Sequence, residues 1–434
     1  MKKNFISILL LAVVLLPQLA TAQTVAIEGE VRPRVEYRDG FSKPLLPTND
    51  PGAFAIQRTR LNLSFTSGIF SSLITLQDSR TFGQTPNAWD VSSSGISTTG
   101  LYEAWAEMVL IPGGSFKIGK QALKYDDSRL FSGSDWSNTG TTHDAALFKY
   151  SVNDFQAHLA FAYNNNAAIS SESYYTPKSN YRYLGLLWFS KDLFSGLNLT
   201  GIAVGEGVQD TTGTKNNTAN YLKTNMYHAY TLGGNLKYTG VDVPITATLT
   251  AYFQTGKNST GSTLAGNMLS AKASYKFTNI ISASLAADYL SGDVNSMDKI
   301  QSNFKKLYGS DHSFNGSMEY WKTPLTQGLL DYYAGVTAKV NKNLTLEGNY
   351  HIFNSEYAGK NKKGIAFGKD LGSEIDITVS YKLNTWTTIQ GGWSTYFTNN
   401  NTLIAKDMMN SATVPAIRAP HWAYLMFTIK PKFL

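Results

Sequence analysis

The sequence predicts an all-β chain: a single transmembrane antiparallel β-barrel of about eighteen strands, with short periplasmic turns and long extracellular loops. Three observations carry this. Apolar and polar residues alternate with period two in blocks of about ten residues along most of the chain. Short and long connections between those blocks also alternate. After the N-terminus, no stretch approaches the roughly 20 consecutive apolar residues that a spanning helix needs.

The N-terminal residues, MKKNFISILLLAVVLLPQLATAQ, place Lys2 and Lys3 before an apolar run from Phe5 to Leu16 and an Ala20-Thr21-Ala22 cleavage pattern. Residues 1–22 read as a signal peptide, leaving 23–434 as the barrel domain of an exported chain in the outer membrane. No plug domain is expected before Val25.

The stretch VAIEGEVRPRVEYR, residues 25–38, opens the barrel. Its odd positions are apolar or small, and its even positions from Glu28 onward are charged. Alternate side chains of a strand point to opposite faces, so one face suits lipid and the other a wet lumen. The pattern returns in 57–66 (QRTRLNLSFT), 243–254 (VPITATLTAYFQ), 267–277 (NMLSAKASYKF) and 371–383 (LGSEIDITVSYKL). In 243–254 it sets Leu249 on the lipid side and Thr248 and Thr250 toward water. Eighteen strands are expected to begin near Val25, Phe54, Ser71, Leu101, Ser115, His143, Asp154, Tyr181, Gly196, Met226, Val243, Asn267, Ile280, Leu329, Asn343, Leu371, Thr385 and His421. Between them fall eight short turns and nine long loops, the arithmetic of an up-and-down barrel with both ends on one side. A propeller would show a blade motif at a period of about 40–50 residues, and none is found. A sandwich gives the same alternation but no reason for alternating loop lengths.

The C-terminal HWAYLMFTIKPKFL puts Leu425, Phe427, Ile429 and Phe433 on one face and Trp422, Tyr424, Thr428 and Lys430 on the other. It resembles the terminal strand through which outer-membrane barrels engage their assembly machinery.

Composition narrows the functional classes. The formal charge of +7 falls to +5 without Lys2 and Lys3, too small and too dispersed to indicate nucleic acid. Cysteine is absent, so neither disulfides nor thiolate chemistry is expected. The six histidines are scattered without ligand spacing. The YDDSR segment, 125–129, lacks the alternating oxygen ligands of a calcium loop. There Asp126 or Asp127 is expected to pair with Arg129 at the barrel rim. No nucleophile elbow appears, but Ser, His and Asp are all plentiful, so the sequence neither draws nor excludes a hydrolytic triad, and a barrel lipase or protease is the alternative to a channel. No cofactor, metal or catalytic group is expected.

The candidate site is the inner wall. Six of the nine arginines lie between positions 32 and 80: Arg32, Arg34, Arg38, Arg58, Arg60 and Arg80. The first two strands are expected neighbours, so these groups can form a positive ladder. It could be a track for carboxylates or sulfates, or a salt-bridge network with Glu28, Glu30 and Glu36 that braces the wall. Lys120, Lys124, Arg129, Glu103 and Glu107 are further candidate pore-lining residues.

The segment 101–150, with LQDSRTFG at 76–83, FKKLYGSDHSFNGSMEYW at 304–321 and LGSEIDITVSYKL at 371–383, resembles the alginate-export family of outer-membrane barrels. The resemblance implies an eighteen-stranded barrel and passive passage of an anionic polysaccharide through an arginine-rich lumen. Where that family usually reads Gly-Arg-Gln, this chain has Gly119-Lys120-Gln121, and lysine lacks the planar fork that grips a carboxylate twice. The expected partners are therefore outer-membrane lipid and an anionic or polyhydroxylated saccharide, or small solutes in general.

Overall fold

The structure, a computed structural model, describes residues 23–83, 99–164, 181–210, 226–295, 298–310, 312–409 and 415–434. The expected signal peptide, 1–22, lies outside the described residues.

Eighteen antiparallel strands form one closed sheet. They are β1 (Gln23–Asp39), β2 (Gly52–Ser67), β3 (Phe70–Thr81), β4 (Thr99–Ile111), β5 (Gly114–Gln121), β6 (His143–Val152), β7 (Phe155–Tyr163), β8 (Tyr183–Phe194), β9 (Leu197–Gln209), β10 (Met226–Thr239), β11 (Ile245–Gly256), β12 (Asn267–Lys276), β13 (Ile281–Leu290), β14 (Leu329–Lys339), β15 (Leu344–Asn354), β16 (Asp370–Lys382), β17 (Thr387–Phe397) and β18 (His421–Ile429). Each strand pairs with the next in sequence, and β1 pairs with β18 from Val31↔Ile429 to Asp39↔His421, so the sheet has no edge. Closure satisfies every ladder N–H and C=O internally, the condition for crossing a bilayer with strands. The one described helix, α1 (Asn400–Ala405), is a single capped turn in the last loop.

The period-two faces fall as the alternation predicts. Outward positions such as Val35, Leu249 and Leu285 are 55%, 55% and 70% exposed, whereas inward Glu36, Arg58 and Asp331 are 1%, 2% and 0% exposed. So large an apolar exterior suits lipid and not water. Two-residue turns at 68–69, 112–113, 153–154 and 195–196 join strands at one end. Gly68, Gly113, Asn153 and Gly196 adopt positive φ there, as tight hairpins require. The strand ends that lead into the nine longer connections all lie at the other end.

The C-terminal residues continue past β18 along the start of β1. Phe433 N donates to Ile27 O at 2.8 Å, and the Phe433 ring covers Gly29, where a Cβ would come within 2.9 Å of it.

The lumen departs from the expectation of a wet bore. Several long loops fold back into it and build an apolar core inside the barrel, including Phe131, Tyr320, Trp321, Phe353, Leu371 and Leu403. Tyr320 stacks on Tyr396 with centroids 3.9 Å apart, and Trp321 Nε1 donates to the Tyr396 hydroxyl at 2.8 Å. Thr250, expected to meet water, is 4% exposed and bonds to Asn235. The polar face of a strand can pack against polar or backbone groups as readily as against water, and alternation alone does not separate the two.

Candidate functional site: a cationic wall and the loop that lies on it

The register of β1 and β2 sets Arg32 directly opposite Arg58 and Glu30 opposite Arg60. Arg34, Glu36 and Arg38 continue the same inner face. Two buried ion pairs organise it: Arg58 Nε to Glu30 at 2.6 Å and Arg34 Nε to Glu36 at 2.8 Å. Arg38 shares Glu36 from the other side at 2.8 Å and lies over the rings of Phe41 and Phe54. Arg60 donates to Gln77 at 2.8 Å and lies 3.7 Å above the Tyr102 ring.

The connection between β5 and β6, residues 122–142, crosses the lumen to reach this wall. Its backbone carbonyls from Asp135 to Thr139 are taken one after another by inward side chains. Arg32 donates to the carbonyls of Asp135, Trp136 (3.2 Å) and Ser137 (2.8 Å). Arg34 donates to Trp136 O at 2.9 Å, and Arg58 to Asp135 O and Ser137 O, each at 3.1 Å. Ser79 holds Asn138 O at 2.5 Å and Gln77 holds Thr139 O at 2.8 Å. The guanidinium row thus binds a row of neutral oxygens supplied by the chain itself.

Trp136 fixes the loop from its other side. Its ring lies 4.1 Å from the Arg34 guanidinium and packs edge-on against Tyr424 and Trp422 of β18. Asp135 points toward the open lumen, where it pairs with Lys124 at 2.7 Å. Partial burial opposes ionisation of this carboxyl, but the Lys124 ammonium and the wall arginines outweigh it and hold the pKa below its usual value.

The other end of the same loop is anchored on the far side of the barrel. Arg129 donates to Asp288 of β13 at 2.8 Å and to Ser270 of β12 at 3.1 Å, and pairs with Asp127 at 2.8 Å. The expected Asp127–Arg129 pair is present, but inside the lumen and not at the rim, because Arg129 also neutralises the wall carboxylate. Burial raises the pKa of the neighbouring Asp126, which accepts a bond from Trp188 Nε1 at 3.0 Å.

A second inward loop, between β13 and β14, meets the acidic part of the wall. Glu374 accepts the Met318 N–H at 2.7 Å, and Asp376 the Ser317 N–H at 3.3 Å. The cationic wall therefore binds loop carbonyls, and the acidic wall binds loop N–H groups. The two loops join through Ser132 N to Tyr308 O (3.0 Å) and Tyr308 N to Leu130 O (2.8 Å).

Of the residues expected to line the pore, Arg32, Arg34, Arg38, Arg58 and Arg60 share one wall, with Lys124 joined to them through Asp135 and Arg129 held apart. Glu103 accepts the Ala122 N–H at 2.9 Å, tying the loop's start to β4. Glu107 pairs with Lys149 at 2.5 Å. Two placements are corrected. Arg80 falls on the outward face of β3 with Ile74 and Leu76 and pairs with Asp78 at 2.6 Å. Lys120 shares the outward side of β5 with Ile118 and lies across from Asp144. Both are near the loop end of their strands, where an outward charge meets the polar interface. Trp422 and Tyr424 line the wall on the face that the C-terminal alternation gives them, whereas Lys117, Lys149 and Trp136 are lining groups that the sequence reading does not name. Strand parity from Ile118 would have found Lys117, and a lone tryptophan in the polar run SGSDWSNTG was the signal for Trp136.

A closed antiparallel barrel of eighteen strands with a lipid-compatible exterior and inward-folded loops is the architecture of outer-membrane porins. Residues 26–186 match the family described as Alginate export. The resemblance read from 76–83 and 101–150 falls within that match. No curated protein sequence matches the chain. Among solved structures, the Pseudomonas aeruginosa outer-membrane porin OccK5 (OpdH) aligns with a TM-score of 0.58 at 12% identity, covering 94% of this chain and 98% of that one. OpdL of the same organism aligns with a TM-score of 0.63 at 10% identity over 94% and 99%. OpdK, solved with vanillate, aligns with a TM-score of 0.59 at 10% identity over 94% and 99%.

Proposed function

We propose that the chain is a passive outer-membrane channel for anionic or polyhydroxylated saccharides. The observation that carries this reading is the wall formed by Arg32, Arg34, Arg38, Arg58 and Arg60 beside the rings of Trp136, Trp422 and Tyr424. Guanidinium groups bind carboxylates and sulfates in two places, and flat rings accept the apolar faces of pyranoses. The match to the alginate-export family over the first strands supports the same substrate class. A signal peptide over 1–22 delivers the chain to the envelope, the outward face meets lipid, and the terminal strand engages the assembly machinery. The chain acts by conduction and not by catalysis.

A second reading, a porin for small organic acids, is favoured by one observation: the 122–142 loop crosses the lumen and narrows it. Vanillate, the molecule named with OpdK, is such an acid. Planar-bilayer recordings separate the two. Concentration-dependent block by an oligogalacturonate, with weaker block by a neutral maltooligosaccharide and by vanillate, supports the saccharide reading. Block by vanillate alone supports the small-acid reading. Hydrolysis of lipid or peptide without steady conductance overturns both.

A further inference from the structure

Arg32 and Arg58 converge on the same two oxygens. Both donate to Asp135 O and to Ser137 O. Two acceptors held between two guanidinium forks are what a carboxylate or sulfate presents, yet here both are neutral carbonyls. Arg58 has Glu30 as its counter-charge. For Arg32, 5% exposed, no carboxylate lies within ion-pair distance among the described residues. Beside it, Arg60 Nη2 is buried with no hydrogen-bond partner. The bonds to these carbonyls are charge-assisted from the donor side only; an oxyanion in their place would add its full charge to the attraction.

The segment that occupies the wall is built as a closed lobe. Thr141 N donates to Gly133 O at 3.0 Å, closing the base of Ser134–Gly140. Gly140 sits at φ +79° against Tyr102 and Arg60, where a Cβ would come within 2.6 Å of the Tyr102 ring. The anchors of the rest of the loop, Arg129 on Asp288 and Tyr308 on Leu130, lie outside the lobe. Lifting the lobe about its base would break the arginine, Gln77 and Ser79 bonds and the Trp136 ring contacts, and would leave these outer anchors in place.

We infer that Arg32 and Arg58 form an oxyanion-binding site that the lobe 134–140 masks with its own carbonyls, and that an acidic solute enters by displacing the lobe. This rests on the reading of the barrel as a channel for acidic saccharides and adds the mode of entry. A site open only a fraction of the time binds its ligand more weakly by that fraction, so removing the competitor tightens binding.

The test replaces Ser134–Gly140 with Gly-Gly, which suits a two-residue hairpin on the Gly133–Thr141 base. Block of bilayer current by oligogalacturonate and by inorganic sulfate is compared with the full chain. The expected result is block tightened about tenfold or more, with the gain abolished when Arg32→Gln is added. Equal block with and without the lobe, or a gain that survives Arg32→Gln, overturns the inference. A gain for sulfate alone, lost with Arg32→Gln, keeps the masked site and overturns the saccharide reading. If the shortened chain does not assemble, Trp136→Ala frees the lobe in the full-length protein. The same tightening is then expected, and its absence counts against the inference.

Discussion

Trp136 lies flat against His312, their ring centroids 3.9 Å apart and their planes 8° from parallel. One ring belongs to the loop after β5 and the other to the loop after β13, so this contact ties the two inward loops together above the cationic wall. His312 Nδ1 lies 3.4 Å from a Glu319 carboxylate oxygen.

The stack is expected to govern loop order and not barrel assembly, since neither ring sits on a strand. His312→Ala should lower stability by only about 0.5–1.5 kcal/mol, the usual worth of an aromatic pair. It should also add rapid fluctuation to the single-channel current. A heat-modifiability gel reports the barrel and a bilayer recording reports the loops. Loss of the folded band would show instead that the loops template the barrel.

The outward face makes a separate prediction. Leu249 is 55% exposed on β11, while its neighbour Thr248 points inward and is partly buried. Leu249→Arg should destabilise the inserted barrel by about 2–4 kcal/mol if it sits near mid-membrane, and Thr248→Arg should be tolerated. Thr250 is unsuitable as the tolerant control, because it lies in the buried network with Asn235 and Tyr252. Urea unfolding in vesicles measures both, and equal losses would mean the faces are misassigned.

These contrasts show where the sequence was readable. Eighteen strands and the alternation of turns and loops follow from a period-two pattern that is local, repeated and under one strong constraint, the bilayer. Expected and observed strand starts differ by only a few residues, as at Val25 against Gln23 and Tyr181 against Tyr183. Alternation also placed Arg32, Arg34, Arg58 and Arg60 on one inner wall. It could not show that the wall faces protein, because the loop partners of Arg32, Arg34 and Arg58 are main-chain carbonyls 77 to 105 residues away. Every residue has such a carbonyl, so no side-chain pattern announces the contact. Arg80 and Lys120 carry the charge of lining groups but occupy outward positions by strand parity, so charge type alone points them the wrong way.

Lys406, just after α1, gives a pH prediction. Its ammonium reaches the Tyr320 carbonyl and lies 4.4 Å from the Trp321 ring. Burial penalises the charged form and pulls its pKa from 10.5 down to about 8. The unfolded chain therefore binds more protons between pH 8 and 10.5, so stability rises with pH across that window and sits on its lower plateau below pH 8. Lys406→Met should remove this rise and stabilise the loop at neutral pH. In the unsubstituted chain, tryptophan emission should titrate with a midpoint near pH 8. No difference between the two titrations would show that Lys406 stays fully charged in place.

The last prediction separates the arginines from one another. A simple ladder would make Arg32 and Arg58 equivalent, but their partners differ. Arg58 neutralises buried Glu30, whereas Arg32 binds carbonyls only. Arg58→Gln leaves buried Glu30 with a single ion-pair partner among the described residues, Lys430, at 3.3 Å and largely exposed. Stranding one member of a buried pair costs about 3–5 kcal/mol. Arg32→Gln strands no charge, and Arg58 still covers Asp135 O and Ser137 O, so its cost should stay near the about 1–3 kcal/mol of an unmet polar group. Adding Glu30→Gln to Arg58→Gln should restore most of the loss, while adding it to Arg32→Gln should not. Denaturant unfolding of the four variants in detergent gives the comparison. If Arg32→Gln proves as damaging as Arg58→Gln, the lobe contributes to the fold as much as the ion pair does, and the wall is a brace before it is a binding site.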